Sequence, residues 1–136
     1  MKYLSIPEVK LIAHQLAQAL LSGDEPIPDF NTRYPNVLER CLDAPRQSFY
    51  SGLVKKSAIL FYLMIKNHPF QNGNKRIAMT ALLTFLYLNK RWLKVDQRDF
   101  YIFALGVADS PAIFKTEIVK AVEVFIKKYL VPLHEN

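Results

Sequence analysis

The sequence predicts an all-α fold of about six helices, and three observations carry that reading. Apolar residues recur at helical spacing through most of the chain. The segment ends carry helix caps and stops. Two long runs, Leu53 to Ile65 and Ile77 to Leu88, are apolar on almost every face, as expected of central helices covered by other helices.

In chain order, Ser5-Ile6-Pro7-Glu8 reads as a capping box, with Ser5 as N-cap, Glu8 reaching back to it and proline tolerated in the first turn. The helix that follows keeps Val9, Ile12, Ala13, Leu16 and Leu20 on one face, until Ser22-Gly23 and the prolines of Asp24 to Pro28 stop it. Val37, Leu38, Cys41 and Leu42 give a short second helix ending before Pro45, because the residue preceding a proline is pushed out of the helical region. Arg46, Gln47, Ser48, Phe49 and Tyr50 then suit an extended flap or strand pair, against the alternative of a plain connecting loop. The third helix covers about Ser51 to Asn67 and the fourth about Lys75 to Asn89. Asp96 caps a fifth, with Phe100, Phe103, Ala104 and Val107 inward. Ser110-Pro111 starts a sixth, with Ile118, Val122, Phe125, Ile126 and Tyr129 as its inner stripe. There is no internal repeat.

The 136 residues make one domain, 1–136, able to bury roughly two-thirds of the unfolded surface. With 51% hydrophobic and 22% charged residues, and no apolar run near the roughly 20 residues of a membrane span, the chain reads as a cytoplasmic globule with no membrane partner. Its N-terminus lacks a signal-peptide pattern. Cys41 is the lone cysteine, which excludes an internal disulfide and a cysteine metal cluster. The formal charge of +6 favours anionic partners without choosing among them. Because the cations are scattered, a nucleic-acid footprint ranks below a solvated surface.

The stretch from His68 to Met79, His-Pro-Phe-Gln-Asn-Gly-Asn-Lys-Arg-Ile-Ala-Met, is a polar, basic loop set between the two most apolar helices. It opens the fourth helix, so the N–H groups of about Gly73 to Arg76 lack intrahelical acceptors and carry the positive end of the helix dipole. That is an anion site before any side chain is added. Gly73 permits close backbone approach, Lys75 and Arg76 offer a point charge and a bidentate fork for phosphate, and Asn74 can donate and accept. Asn72 can present an amide oxygen to Mg²⁺. His68 is the candidate proton acceptor for an attacking hydroxyl. The C-terminal dipole of the third helix favours imidazolium while Lys75 and Arg76 oppose it, so geometry decides its role. Phe70 reads as a packing anchor. The competing reading of the whole stretch is a connection between helices with solubilising charges.

His68-Pro69-Phe70-Gln71-Asn72-Gly73-Asn74-Lys75-Arg76 resembles the Fic/Doc signature, His-x-Phe-x-acid-Gly-Asn-Gly/Lys-Arg, over nine contiguous positions. Tyr3 to Glu8 and Leu38 to Pro45 also look like their counterparts in death-on-curing (Doc) toxins. The resemblance implies the all-α Fic fold, with His68 as general base, Phe70 as core anchor, Gly73 and Asn74 as anion hole and Arg76 as the phosphate-binding arginine. Lys75 stands where AMP-transferring relatives usually have glycine, and Met79 where they often have a second arginine. Both departures point to the Doc branch. That branch resembles a kinase, binding its nucleotide in a reversed orientation and phosphorylating a threonine of the elongation factor that delivers aminoacyl-tRNA. Asn72 replaces the usual acid. The inhibitory Ser/Thr-x-x-x-Glu-Gly/Asn pattern is absent from the sequence, so the resemblance implies regulation in trans by an antitoxin. It also places a target-docking flap at Pro45 to Tyr50.

The leading expectation is therefore a Doc-like toxin that uses ATP and Mg²⁺ to phosphorylate a protein hydroxyl. The alternatives are AMP transfer by the same fold and a catalytically weak nucleotide- or protein-binding module. DNA binding ranks third, since no helix carries a dense basic face.

Overall fold

The structure is a computed structural model and describes residues 1–19 and 35–133. It contains α1 (Ile6–Ala19), α2 (Pro35–Asp43), α3 (Leu53–Lys66), α4 (Asn74–Leu88), α5 (Gln97–Asp109) and α6 (Lys115–Tyr129). Two three-residue strands, β1 (Arg91–Leu93) and β2 (Leu130–Pro132), pair antiparallel with Trp92 opposite Val131. The expected stop of the first helix at Ser22 to Pro28 lies outside the described residues.

Several ends form where local chemistry dictates. The Ser5 N–H donates to Glu8 Oε1 at 2.9 Å and the Glu8 N–H donates to Ser5 Oγ at 3.3 Å, closing the box at the start of α1. Asp96 Oδ1 accepts from the N–H groups of Arg98 and Asp99 at 2.9 and 3.2 Å, which fixes the start of α5. One end differs from expectation. Ser110 ends α5 rather than starting α6: it is extended, with ψ 141°, as the residue before a proline prefers, and a 3₁₀ turn at Ala112–Phe114 precedes α6.

At the centre, α3 packs on α4 and α6, with α1 against α4 and α5 against both central helices. Phe61, Phe70 and Phe85 are fully buried, each contributing roughly 2 kcal/mol by removing its ring from water. Phe61, Phe100, Phe103 and Phe125 stack in series across α3, α5 and α6; the Phe103 and Phe125 centroids lie 4.0 Å apart. The loop after α3 is thus held from both ends by rigid, buried helices. No helix among the described residues is long and apolar enough to cross a membrane.

Candidate active site

Two backbone features shape the loop between α3 and α4. Asn67 ends α3, its N–H donating to Leu63 O at 2.9 Å, and His68 follows in the left-handed region with φ 47°. Helices commonly end on a residue of this conformation, which is usually glycine. A histidine there costs on the order of 1 kcal/mol, and Pro69 cannot continue the helix. The second feature is Gly73, the N-cap of α4, at φ 72° and ψ 13°. Its carbonyl accepts from the Ile77 N–H at 2.9 Å, and no side chain caps the helix. The N–H groups of Asn74, Lys75 and Arg76 therefore have no intrahelical acceptor.

Asn74 frames this loop. Its side chain is 9% exposed; Oδ1 accepts from the Phe70 N–H and Nδ2 donates to the Phe70 carbonyl, both at 3.0 Å. One amide thus satisfies both backbone groups of the buried Phe70 and closes the turn on itself. What Asn74 can offer an anion is its backbone N–H. The sequence reading places Asn74 in an anion hole with an amide able to donate and accept, and here both functions of that amide go to Phe70.

A cavity of about 250 Å³ opens beside the turn, lined by His68, Gln71, Asn72, Gly73, Lys75 and Ala108 among others. It brings together most of the residues singled out in the sequence. Arg76 departs from them and lines a larger cavity of about 460 Å³, its guanidinium carbon 4.7 Å from the Tyr101 ring centroid. Neighbouring helix residues do not share a face, so Lys75 and Arg76 serve different sides of the first turn of α4.

Lys66 and Ala108 are positioning features that the sequence reading missed. Lys66 Nζ donates to the Ala108 carbonyl at 3.2 Å and also to that of Ser110. The ammonium ties the end of α5 to the end of α3 and so fixes Ala108 as a wall of the His68 cavity.

Residues 46–50 do not form the expected extended flap. Ala44–Arg46 is a 3₁₀ turn, after which the Gln47 N–H donates to Ala44 O and the Tyr50 N–H to Gln47 O, both at 3.1 Å. Lys56 Nζ holds the Pro45 carbonyl at 2.6 Å, and the Arg46 guanidinium carbon sits 4.6 Å from the Tyr3 ring centroid. Ser48 and Phe49, the latter 69% exposed, are the two central residues of the second turn and do not form a strand. The segment is clasped to the amino-terminal half of α3, roughly 15 Å along the helix from the end that carries His68.

The donor chemistry bears on Mg²⁺. Asn72 and Gln71 bring amide oxygens to the His68 cavity, whose described lining contains no carboxylate. Protein-bound Mg²⁺ usually rests on one or two carboxylates together with substrate phosphates. These residues fit a cation carried in by a nucleotide, with Asn72 as one added oxygen, and do not fit a cation held by the protein alone.

The sequence model of the Fic/DOC family matches residues 3–86, which take in the whole loop between the central helices. The chain belongs to the Fic/DOC family. Fic/DOC membership implies transfer of a nucleotidyl or phosphoryl group to a protein. No curated protein matches the chain. The Fic/DOC match stops before α5, yet Ala108 of α5 closes the His68 cavity, so the unmatched part of the chain completes the site.

Proposed function

We propose that the chain is a Doc-like toxin that transfers the γ-phosphoryl group of ATP to a hydroxyl side chain of a target protein. The observation that carries this reading is the opening of one cavity onto His68, Lys75 and the uncapped start of α4. The N–H groups of that first turn and the Lys75 ammonium would hold the phosphoryl oxygens, where the fixed dipoles stabilise the charge spread over them during transfer. His68 would accept the proton of the attacking hydroxyl. As the hydroxyl oxygen forms its bond to the γ-phosphorus, the bond from that phosphorus to the β,γ-bridging oxygen breaks, and ADP leaves with its electron pair. Arg76, on the other side of the same turn, would hold phosphates nearer the nucleoside. Mg²⁺ bound with the nucleotide would neutralise phosphate charge, and Asn72 would contribute one oxygen to it.

Lys75 and Met79, in place of the glycine and second arginine of AMP-transferring relatives, support phosphoryl over AMP transfer. The target proposed from the Doc resemblance is a translation elongation factor, and the regulator an antitoxin acting in trans. The test expresses wild type beside His68→Ala in growing cells and follows growth and target mass together. The expected result is growth arrest with one added phosphate on a hydroxyl residue, both lost in His68→Ala. An added AMP would replace this reading with nucleotidyl transfer, and an unmodified proteome despite arrest would replace it with a binding module.

A further inference from the structure

Helix α6 is apolar on two sides, and the fold covers one of them. Val122 and Ile126 are its buried residues, on the side that packs against α3. The other side carries Phe114 at the N-cap, 51% exposed, then Ala121 and Val124, the latter 63% exposed. Beside it α5 presents Ile102, 54% exposed, and a groove of about 270 Å³ between the two helices is lined by Ile102, Phe103, Gly106, Ile118 and Ala121 among others. A side chain begun at Gly106 would meet nothing within 4 Å. Glycine inside a helix is destabilising relative to alanine, and no described residue of the protomer uses the room it leaves. A contiguous apolar surface of this kind marks a contact with another molecule.

The order of residues along this side of α6 identifies the molecule. Glu117, Ala121, Val124 and Lys128, all exposed, are spaced by four, three and four, which keeps them in one line and is the spacing by which paired helices meet. Along the line the residue types run acid, small, branched, base. Set two copies antiparallel about a two-fold axis, and Glu117 faces Lys128 of the second copy at both ends, while Ala121 faces Val124, small against large, in the middle. The line is therefore complementary to its own reverse. A parallel pairing would oppose Glu117 to Glu117 and Lys128 to Lys128, so charge selects the antiparallel one. Lys120 and Lys127 fall on the flank, where long side chains keep their charges in water.

We propose that α6 is a dimerisation element, pairing antiparallel with α6 of a second copy of this chain through Glu117, Ala121, Val124 and Lys128. Ile102 and the open ground at Gly106 form the edge of the same contact. None of these residues lines the His68 cavity, so the pairing holds or fails independently of the proposed phosphoryl transfer. It reaches that cavity only through α5, which carries both Gly106 and the Ala108 wall, so a second copy braces the helix that closes the site.

The full chain is purified as His68→Ala, which keeps the proposed toxicity out of expression, and its mass is followed by sedimentation over a range of concentrations. Val124→Glu, Glu117→Lys, Lys128→Glu and the double reversal Glu117→Lys with Lys128→Glu are measured on the same background, with folding checked by thermal melt. The expected result is a reversible dimer that Val124→Glu converts to monomer without lowering the melting temperature, since the position is exposed. Each single reversal places two repelling pairs in the contact and should raise the dissociation constant about tenfold. The double reversal restores an opposite charge at both ends and should return it close to the starting value. If Val124→Glu melts early, the charge reversals alone decide the outcome. A monomer at every concentration, a dimer unmoved by Val124→Glu, or a double reversal no tighter than the single ones would overturn the pairing. So would a contact at this face that forms only when a different protein is added.

Discussion

At the scale of single residues, His68 has two jobs that pull against each other. Its backbone ends α3 in the left-handed region, where glycine is better, while its side chain is the proposed proton acceptor. Comparing His68→Gly with His68→Ala isolates the backbone part, because both lose the imidazole. The glycine variant should be more stable by about 1 kcal/mol in urea denaturation, and both should be inactive in transfer. Asn74 is the opposite case, a side chain that reads as a ligand and acts as a frame. Asn74→Ala strands the N–H and carbonyl of Phe70 in the interior and should cost about 3 kcal/mol by the same measurement. The signal for this role was present in the spacing, since Phe70 and Asn74 are four residues apart across a tight turn. Lys75 and Arg76 could likewise have been separated in the sequence by helix geometry alone.

Among the elements, those with local causes were legible and those with distant causes were not. Ser5 with Glu8, and Asp96 with Asp99, announce helix starts through bonds made within one turn, so the sequence contains the whole reason. Residues 46–50 were misread because Phe49 and Tyr50 suit strands, whereas Lys56, a turn into the next helix, clasps the Pro45 carbonyl and holds a turn in place. The pair of β1 and β2 was missed because three residues carry little period, and each strand makes sense only beside the other. The tie from Lys66 to α5 is another distant cause. Lys66→Met should cost about 2 kcal/mol, as expected for hydrogen bonds from a charged donor, and should speed hydrogen exchange around 107–110. An unchanged exchange rate there would mean that packing alone holds the end of α5.

For the whole molecule, the pH response has an identifiable source on the alkaline side. Burial pushes the Cys41 thiol up from 9.0 to about 11, against the lowering pull of a hydrogen bond with the Asn67 side chain and of the nearby Arg40 charge. The thiol ionises first in the unfolded chain, so its contribution is complete below pH 9 and is lost as pH rises to about 11, by roughly 3 kcal/mol at most. Stability of wild type should therefore fall more steeply than that of Cys41→Ala across this window, as read by urea denaturation at each pH. Native Cys41 should also resist thiol reagents at pH 8 until the chain unfolds. The short strand pair has a further consequence, for the order of assembly. Helices α3 and α4 meet across a brief turn, while Arg91 finds Pro132 only after roughly forty intervening residues have closed into a ring, a step with a larger entropic barrier. The family-matched part, residues 3–86 with its loop, can thus come together first, and α5 and α6 are drawn in as the ring closes. A loop shaped by α3 and α4 alone lacks its Ala108 wall, so the His68 cavity is completed only in this second stage of assembly.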